Sequence, residues 1–302
     1  MSKRETLLRY TAIIRCVRNA PVTLNEINKC LEQESDMYGF DLSVSKRTFQ
    51  RDVQDLLSLF QIEIVYDYSL RKYLIRNQGD ESYNSRILEA FETLSVLTVN
   101  QDVSKYLDFE TRRAGGLENF HGLLHAIKNH LQLNFSYQSY DQEKAFLRKT
   151  NPLLLKEFKG RWYVIAKDLA DDKIKTYALD RLSNPEITKK RFTVPADFDP
   201  KSIFRDSFGI ISSVAGSVPQ RVVLSFDAWQ GKYVKSQPLH ASQVTLINNE
   251  SEFRIELFVY VAFDLVKELL SYGDGLKVIE PATLAKEIME MQEKAFRRYQ
   301  VE

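Results

Sequence analysis

Apolar residues recur at helical intervals three times within the first sixty positions. Between Lys3 and Asn19, Leu7, Tyr10, Ile14 and Val17 share one face at three- and four-residue steps, widened by Leu8 and Ile13. Asn19-Ala20-Pro21 ends that helix. Thr23 then caps a second one, with Glu26 placed to complete a capping box, and Leu24, Ile27 and Leu31 turned inward beside Cys30. After a loop from Glu34 to Val44, Ser45 caps a third helix whose inward stripe reads Phe49, Val53, Leu56, Leu57 and Phe60. The period then changes from that of a helix to that of a strand. Ile62, Ile64 and Tyr66 alternate, Asp67 to Lys72 form a basic-tipped turn, and Tyr73-Leu74-Ile75 return.

Asn77 to Asn84 is polar and turn-like, and Ile87, Leu88, Phe91, Leu94 and Leu97 recur at helical spacing. This predicts a helical linker over 77–118 that carries motion or dimer contacts, or simply packs. Leu117, Phe120, Leu123, Leu124, Ile127 and Leu131 predict another amphipathic helix. Strands follow at Leu133 to Tyr137, Leu153 to Leu155, Trp162 to Ala166 and Ile174 to Leu179, with Trp162 in the core. Lys159-Gly160, Asp171-Asp172 and Ser183-Asn184-Pro185 are the turn signals between and after them. One helix followed by short strands implies a small Sm- or SH3-like barrel over 119–215. From 219 to 302 the order is β-α-β-β-α-β, ending in a helix from Ala282 to Tyr299, which implies a ferredoxin-like unit. The fold class is therefore α+β and multidomain. It comprises a winged helix-turn-helix (1–76), the helical linker, the small barrel and the ferredoxin-like C-terminal domain.

The whole chain, 302 residues, has 42 Lys plus Arg against 41 Asp plus Glu, formally +1. That excludes a uniformly basic coat. Split by region, 1–76 has 12 basic and 10 acidic side chains, 77–118 has 4 and 8, 141–192 has 13 and 8, and 219–302 has 10 and 12. The first and third regions suit anionic partners, and solvated surface is the alternative. Cys16 and Cys30 read as reduced, buried thiols rather than a disulfide framework. Neither a membrane span nor an apolar signal core is found, which points to the cytoplasm.

The outward face of the third helix carries the chemistry. Arg47, Gln50, Arg51 and Gln54 recur at helical spacing, with Lys46 and Thr48 at its start. Arg and Gln make bidentate contacts to guanine and adenine edges in the major groove, and a hydroxyl with cations near a helix start suits phosphates. Arg71 and Lys72 on the hairpin would touch the DNA backbone. A solvated polar face is the bland alternative, and the helix-helix-helix-hairpin order weighs against it. No Walker loop, Gly-x-Gly-x-x-Gly or Gly-x-Ser-x-Gly occurs, so no enzyme and no cofactor is expected. His121 and His125 lie four apart on a helix, but no third ligand stands at a defined spacing, so no metal site is assigned.

Ser45-Lys46-Arg47-Thr48-Phe49-Gln50-Arg51-Asp52-Val53 resembles the Ser-x-Arg-Thr-x-x-Arg-Asp-Leu recognition helix of bacterial DeoR-like and WYL-family regulators. Gly160-Arg161-Trp162-Tyr163-Val164 resembles the Gly-Arg-Trp-Tyr-Leu signature of WYL domains. Asn151-Pro152-Leu153, Tyr177-Ala178-Leu179-Asp180-Arg181-Leu182 and Phe204-Arg205-Asp206-Ser207-Phe208-Gly209-Ile210 are similar to further elements of that family. Residues 219–302 resemble its C-terminal extension. Three departures stand out. Arg71-Lys72 precede Tyr73 where family hairpins often place glycine, Val164 replaces leucine, and Ala178 stands where many members have a second arginine.

The resemblance implies a homodimeric transcription regulator that binds a double-stranded DNA operator and senses an anionic effector, a single-stranded nucleic acid or a nucleotide. Strand alternation, together with that pattern, brings Tyr137, Tyr163, Tyr177 and Arg181 forward as the effector site, the tyrosines as stacking platforms and the arginine as an anion fork. Core packing is the alternative for each tyrosine. A nucleic-acid-processing enzyme, or a defence-associated accessory protein that binds RNA or DNA, is the rival function.

Overall fold

A computed structural model describes residues 3–76, 86, 87, 89, 90, 93, 94, 97, 105–111, 115–196, 198–200, 202–212 and 217–300. It divides into two compact units, Met1–Thr111 and Arg112–Glu302.

In the first unit, helices α1 (Lys3–Asn19), α2 (Leu24–Tyr38) and α3 (Lys46–Phe60) precede an antiparallel hairpin, β1 (Ile64–Asp67) and β2 (Lys72–Ile75). The capping box forms: the Thr23 side chain accepts from the Glu26 N–H, and the Glu26 carboxylate accepts from the Thr23 N–H. Ser45 caps α3 by accepting from the Thr48 N–H. Val22 and Tyr73 exchange backbone hydrogen bonds, so the segment ahead of α2 is tied to the hairpin. Ile13, Ile27, Leu31, Leu42, Phe49 and Leu56 fill the core.

Two expectations change here. Leu57 is exposed, and the inward place on α3 goes to Asp52. Its carboxylate accepts from Arg9 Nε at 2.6 Å and Nη2 at 2.9 Å, and both side chains are fully buried. Tyr10, the next residue on α1, donates to Asp55 Oδ2 at 2.7 Å. Cys16 of α1 and Cys30 of α2 are joined in a disulfide, half-buried, where reduced thiols were expected. Packing of the two helices brings their Cα atoms to 6.6 Å, within disulfide reach. Arg15 pairs with Glu34 nearby, so α1 anchors both later helices. The expected linker over 77–118 lies largely outside the described residues. Ile87 packs on the first unit's core.

The second unit opens with a 3-10 turn (Leu117–Asn119) and α4 (Phe120–Lys128). Leu131, expected to end this helix, instead starts β3 (Leu131–Tyr137), because His130 takes a positive φ of 53° and breaks the helix. Strands β4 (Phe146–Phe158), β5 (Arg161–Asp168) and β6 (Ile174–Ala178) follow. A 3-10 turn (Leu179–Arg181) leads into β7 (Leu182–Arg191). The antiparallel order is β6-β5-β4-β3-β7. Lys159 and Gly160, both at positive φ, make the tight β4–β5 turn. Ser183-Asn184-Pro185, expected as a turn, lies inside β7. Asn184 has φ 51°, and pairing with β3 shifts between Asn134 and Ser136, so these residues make an irregularity within a strand.

Strands β8 (Gln220–Asp227), β9 (Val244–Asn248), β10 (Glu252–Val259) and β11 (Leu276–Glu280) form a second antiparallel sheet in the order β11-β8-β10-β9. Helices α5 (Ala228–Ser236), α6 (Phe263–Leu270) and α7 (Ala282–Arg298) connect or close it. Val222, Leu224, Phe226, Ile255, Leu257 and Leu265 form its core. The segment around Gly209 ties the two sheets together. The N–H groups of Ile210 and Ile211 donate to Asp264 Oδ2 at 2.9 and 3.1 Å, and a Cβ on Gly209 would stand 2.4 Å from that oxygen. Lys159 pairs with Glu268 across the same junction. The architecture is α+β, with several antiparallel sheets.

Candidate functional site

On α3, Lys46, Arg47, Gln50, Arg51 and Gln54 are exposed. Thr48 is half-buried, and its hydroxyl lies 3.0 Å from the Ser45 hydroxyl, where it helps close the first helical turn. Arg71 is exposed and takes the left-handed conformation itself (φ 53°), the position where glycine would cost less. Lys72 is half-buried. Lys46, Arg47 and Arg71 enter no ion pair among the described residues, while Arg51 Nη2 lies 3.9 Å from Asp52.

Between helix and hairpin runs an open groove of about 850 Å³, with Lys46, Gln50 and Gln54 on one wall and Tyr66, Tyr68 and Arg71 on the other. Arg47 and Arg51 stand one step, about 100°, further round the helix. An aromatic chain spans the groove's floor. Phe49 packs edge-on to Tyr73 (4.8 Å between centroids), Tyr73 to Tyr66 (5.0 Å) and Tyr66 to Tyr68 (5.1 Å). The hairpin turn is held by Asp67, whose carboxylate accepts from the Ser69 hydroxyl and from the N–H groups of Ser69 and Leu70. These bonds hold the Asp67 carboxyl below the usual range. Tyr66 and Tyr73 were legible as strand residues and Tyr68 as part of the turn, but not as this chain.

In the five-stranded sheet, the expected tyrosines turn inward. Tyr137, Tyr163 and Tyr177 are all buried. Tyr177 packs edge-on to Phe135 and Tyr137 at 5.1 and 4.9 Å and donates to Asp168 Oδ2 at 2.8 Å. Tyr137 accepts from the Ala178 N–H at 3.2 Å. Burial pushes all three hydroxyls above the ordinary tyrosine range. Their rings therefore fill the core, and the expectation of exposed stacking platforms is corrected.

Arg181 is half-buried. Its guanidinium carbon lies 5.2 Å from the Tyr137 ring centroid and 4.5 Å from that of Tyr140. Tyr140, which was not singled out from the sequence, is 78% exposed. Arg161 Nη1 bonds Asp180 Oδ2 at 3.0 Å and reaches the Tyr140 hydroxyl at 3.4 Å. A hollow of about 480 Å³ is lined by Tyr140, Gln142, Asp180, Arg181 and Ser183, among others. Three buried polar atoms of these residues, Arg181 Nε, Gln142 Oε1 and Asp180 Oδ1, have no hydrogen-bond partner among the described residues. The Arg181 Nε donor suits an anionic group, whereas the Gln142 and Asp180 oxygens are acceptors and suit donors on the same ligand. His121 and His125 are exposed, and among the described residues no group of three or more acidic, His or Cys side chains gathers as for a metal ion. No helix among the described residues is long and apolar enough to cross a membrane.

Residues 118–187 match the WYL domain, and residues 219–296 match the WCX domain. Among solved structures, the chain is similar to proteasome accessory factor B/C (PafBC) of Arthrobacter aurescens, at 19% identity and a TM-score of 0.33, over 95% of this chain and 46% of that one. This chain thus spans less than half the length of that protein. It is also similar to a CRISPR Cas-related protein, at 10% identity and a TM-score of 0.42, over 98% of this chain and 85% of that one. No curated protein matches it.

Proposed function

We propose that the chain is a DNA-binding transcription regulator and not an enzyme. The first unit is read as a winged helix-turn-helix, the five-stranded sheet as an Sm/SH3-like sensor, and the C-terminal sheet as a ferredoxin-like extension that helps assemble a homodimer. The observation that carries this reading is the face of α3, whose exposed Lys46, Arg47, Gln50, Arg51 and Gln54 stand beside a hairpin that bears Arg71. Two such helices in a dimer would engage half-sites about one helical turn apart, or multiples of it. The effector is an anion held by Arg181 beside Tyr140, a nucleotide or the end of a single strand, whose own donors would meet the unpartnered oxygens of Gln142 and Asp180 in the same hollow.

Selection of binding sites from a random duplex pool with the full chain, followed by gel shift, tests the DNA reading. Arg47→Ala or Arg51→Ala should cost about 1–3 kcal/mol of affinity for the selected site wherever the arginine reads a base. A pool that yields no enriched sequence, or selected duplexes bound equally by wild type and by the variant carrying both Arg47→Ala and Arg51→Ala, overturns the reading.

A further inference from the structure

Among the exposed side chains at the tip of the hairpin, Tyr68 and Leu70 are large and largely apolar, beside the polar Ser69 and Arg71. Tyr68 is 85% exposed and Leu70 is 54% exposed, next to the cationic Arg71. The tip is built to stay put. Three hydrogen bonds to Asp67 fix its turn, and Tyr68 rests on Tyr66, which rests on Tyr73, which rests on Phe49 of α3. Any load on the tip is therefore borne by the helix that presents Gln50 and Gln54. Between them the groove carries a cation on each wall, Lys46 and Arg71, neither of them neutralised by an ion pair among the described residues.

We infer that the hairpin tip is a minor-groove wedge. One sugar–phosphate strand passes along the groove between Lys46 and Arg71, α3 occupies the major groove on one side of it, and Tyr68, backed by Leu70, enters the minor groove on the other. The inference rests on the DNA reading above and adds a second source of specificity. An apolar side chain pressed between base steps unstacks them, and this costs least at flexible pyrimidine–purine steps. Base pairs under the tip are thus selected by deformability, without hydrogen bonds to their edges. The fixed turn makes the wedge effective, because no loop has to be ordered on binding.

The test uses the full chain and the duplex selected above, with the base step beneath the tip varied from TA to GC. Wild type should prefer the flexible step and bend the duplex in a circular-permutation gel. Tyr68→Ala should lose roughly 10- to 100-fold in affinity, one wedge contact at 1.4 kcal/mol per tenfold, together with the step preference and much of the bend. Tyr68→Phe should keep most of all three. Because Tyr68 is exposed, both variants should melt like wild type. Unchanged affinity, step preference and bend in Tyr68→Ala overturn the wedge while leaving the DNA reading intact. Weaker self-association of that variant in sedimentation, at unchanged DNA affinity, also overturns it and marks the tip as a contact between copies. Failure of wild type to bind any duplex overturns the DNA reading itself.

Discussion

Arg9→Met removes the cation that neutralises Asp52 at the centre of the first unit. The Asp52 carboxylate accepts two hydrogen bonds from Arg9, at 2.6 and 2.9 Å, and neither side chain touches solvent. Its other cation, the Arg51 guanidinium, stands 3.9 Å away on the exposed side. Losing one partner of a buried pair costs about 3–5 kcal/mol, since the remaining charge stays desolvated. Counted as two charge-assisted bonds of about 1.5–3 kcal/mol each, the loss falls in the same range. A domain holds about 5–15 kcal/mol in all, so the variant should fold but open far more often. Hydrogen exchange of the full chain, resolved by mass spectrometry, reads this locally. The slowest amides of α1 and α3 should exchange roughly 150- to 5,000-fold faster, at 1.36 kcal/mol per tenfold, while peptides from β3 to β5 serve as an unchanged control. Arg9→Met combined with Asp52→Leu should recover most of the protection, because an apolar pair of similar volume avoids both desolvation costs. Protection within a few-fold of wild type in Arg9→Met, or a double variant as labile as the single one, would refute the reasoning.

Acid should weaken the second unit through Asp168. Burial alone pushes its carboxyl up, but the Lys175 ammonium, the Ala170 N–H and the Tyr177 hydroxyl outweigh burial and hold it at about 2, against an ordinary 3.8. A carboxyl lowered on folding stabilises fully above its unfolded value and ceases to do so as pH falls through the folded one. Roughly 2 kcal/mol should therefore vanish between about pH 4 and pH 2, and Asp168→Asn, already weaker at pH 7, should lack that part of the slope in melts across the range. An equal acid slope in both proteins would remove Asp168 from the account. Gly116→Ala should destabilise the same unit by about 1–3 kcal/mol, since overpacking and a positive φ act together. Gly116 has φ 96°, and an added Cβ would meet the Leu179 carbonyl carbon at 2.4 Å, a backbone atom that cannot swing aside. An unchanged urea midpoint would contradict this.

Where local chemistry decided the structure, it was legible. Thr23 with Glu26 marks the start of α2, Ser45 that of α3, and Lys159-Gly160 a two-residue turn, because caps and tight turns depend on a few adjacent groups. Long-range pairing was not legible. β7 is almost entirely exposed and reads Leu-Ser-Asn-Pro-Glu-Ile-Thr-Lys-Lys-Arg, so it lacks the apolar alternation by which strands are recognised. It is a strand because β3 offers it a hydrogen-bonding edge. Asp52 was assigned to no face for a related reason. A charged residue is read outward by default, and only the arrival of Arg9 from 43 positions away makes its burial tolerable.

The candidate sites divide along the same line. On α3 the spacing of Arg47, Gln50, Arg51 and Gln54 was enough, since a helix fixes which residues share its outer face. In the five-stranded sheet, alternation grouped Tyr137 and Tyr177 but could not say which side of a curved sheet was the inside. That depended on the partners waiting there, Asp168 for one hydroxyl and the Ala178 N–H for the other. A tyrosine whose hydroxyl is satisfied within the core has no reason to face water. Arg181 is not satisfied in this way, because its buried Nε lacks a partner among the described residues. In the proposed effector site the exposed ring is thereby not one of the three strand tyrosines but the loop tyrosine Tyr140, which no periodicity marks. It is placed by the chain's return from β3 and by the guanidinium of Arg181 lying over its ring at 4.5 Å. The ligand chemistry proposed for this hollow is correspondingly narrow, an anion on one fork with one exposed ring beside it. The 3-10 turn that carries Asp180 and Arg181 lies so close to Gly116 that even a methyl group would not fit between them. A ligand that moved this turn would therefore move the start of the second unit with it.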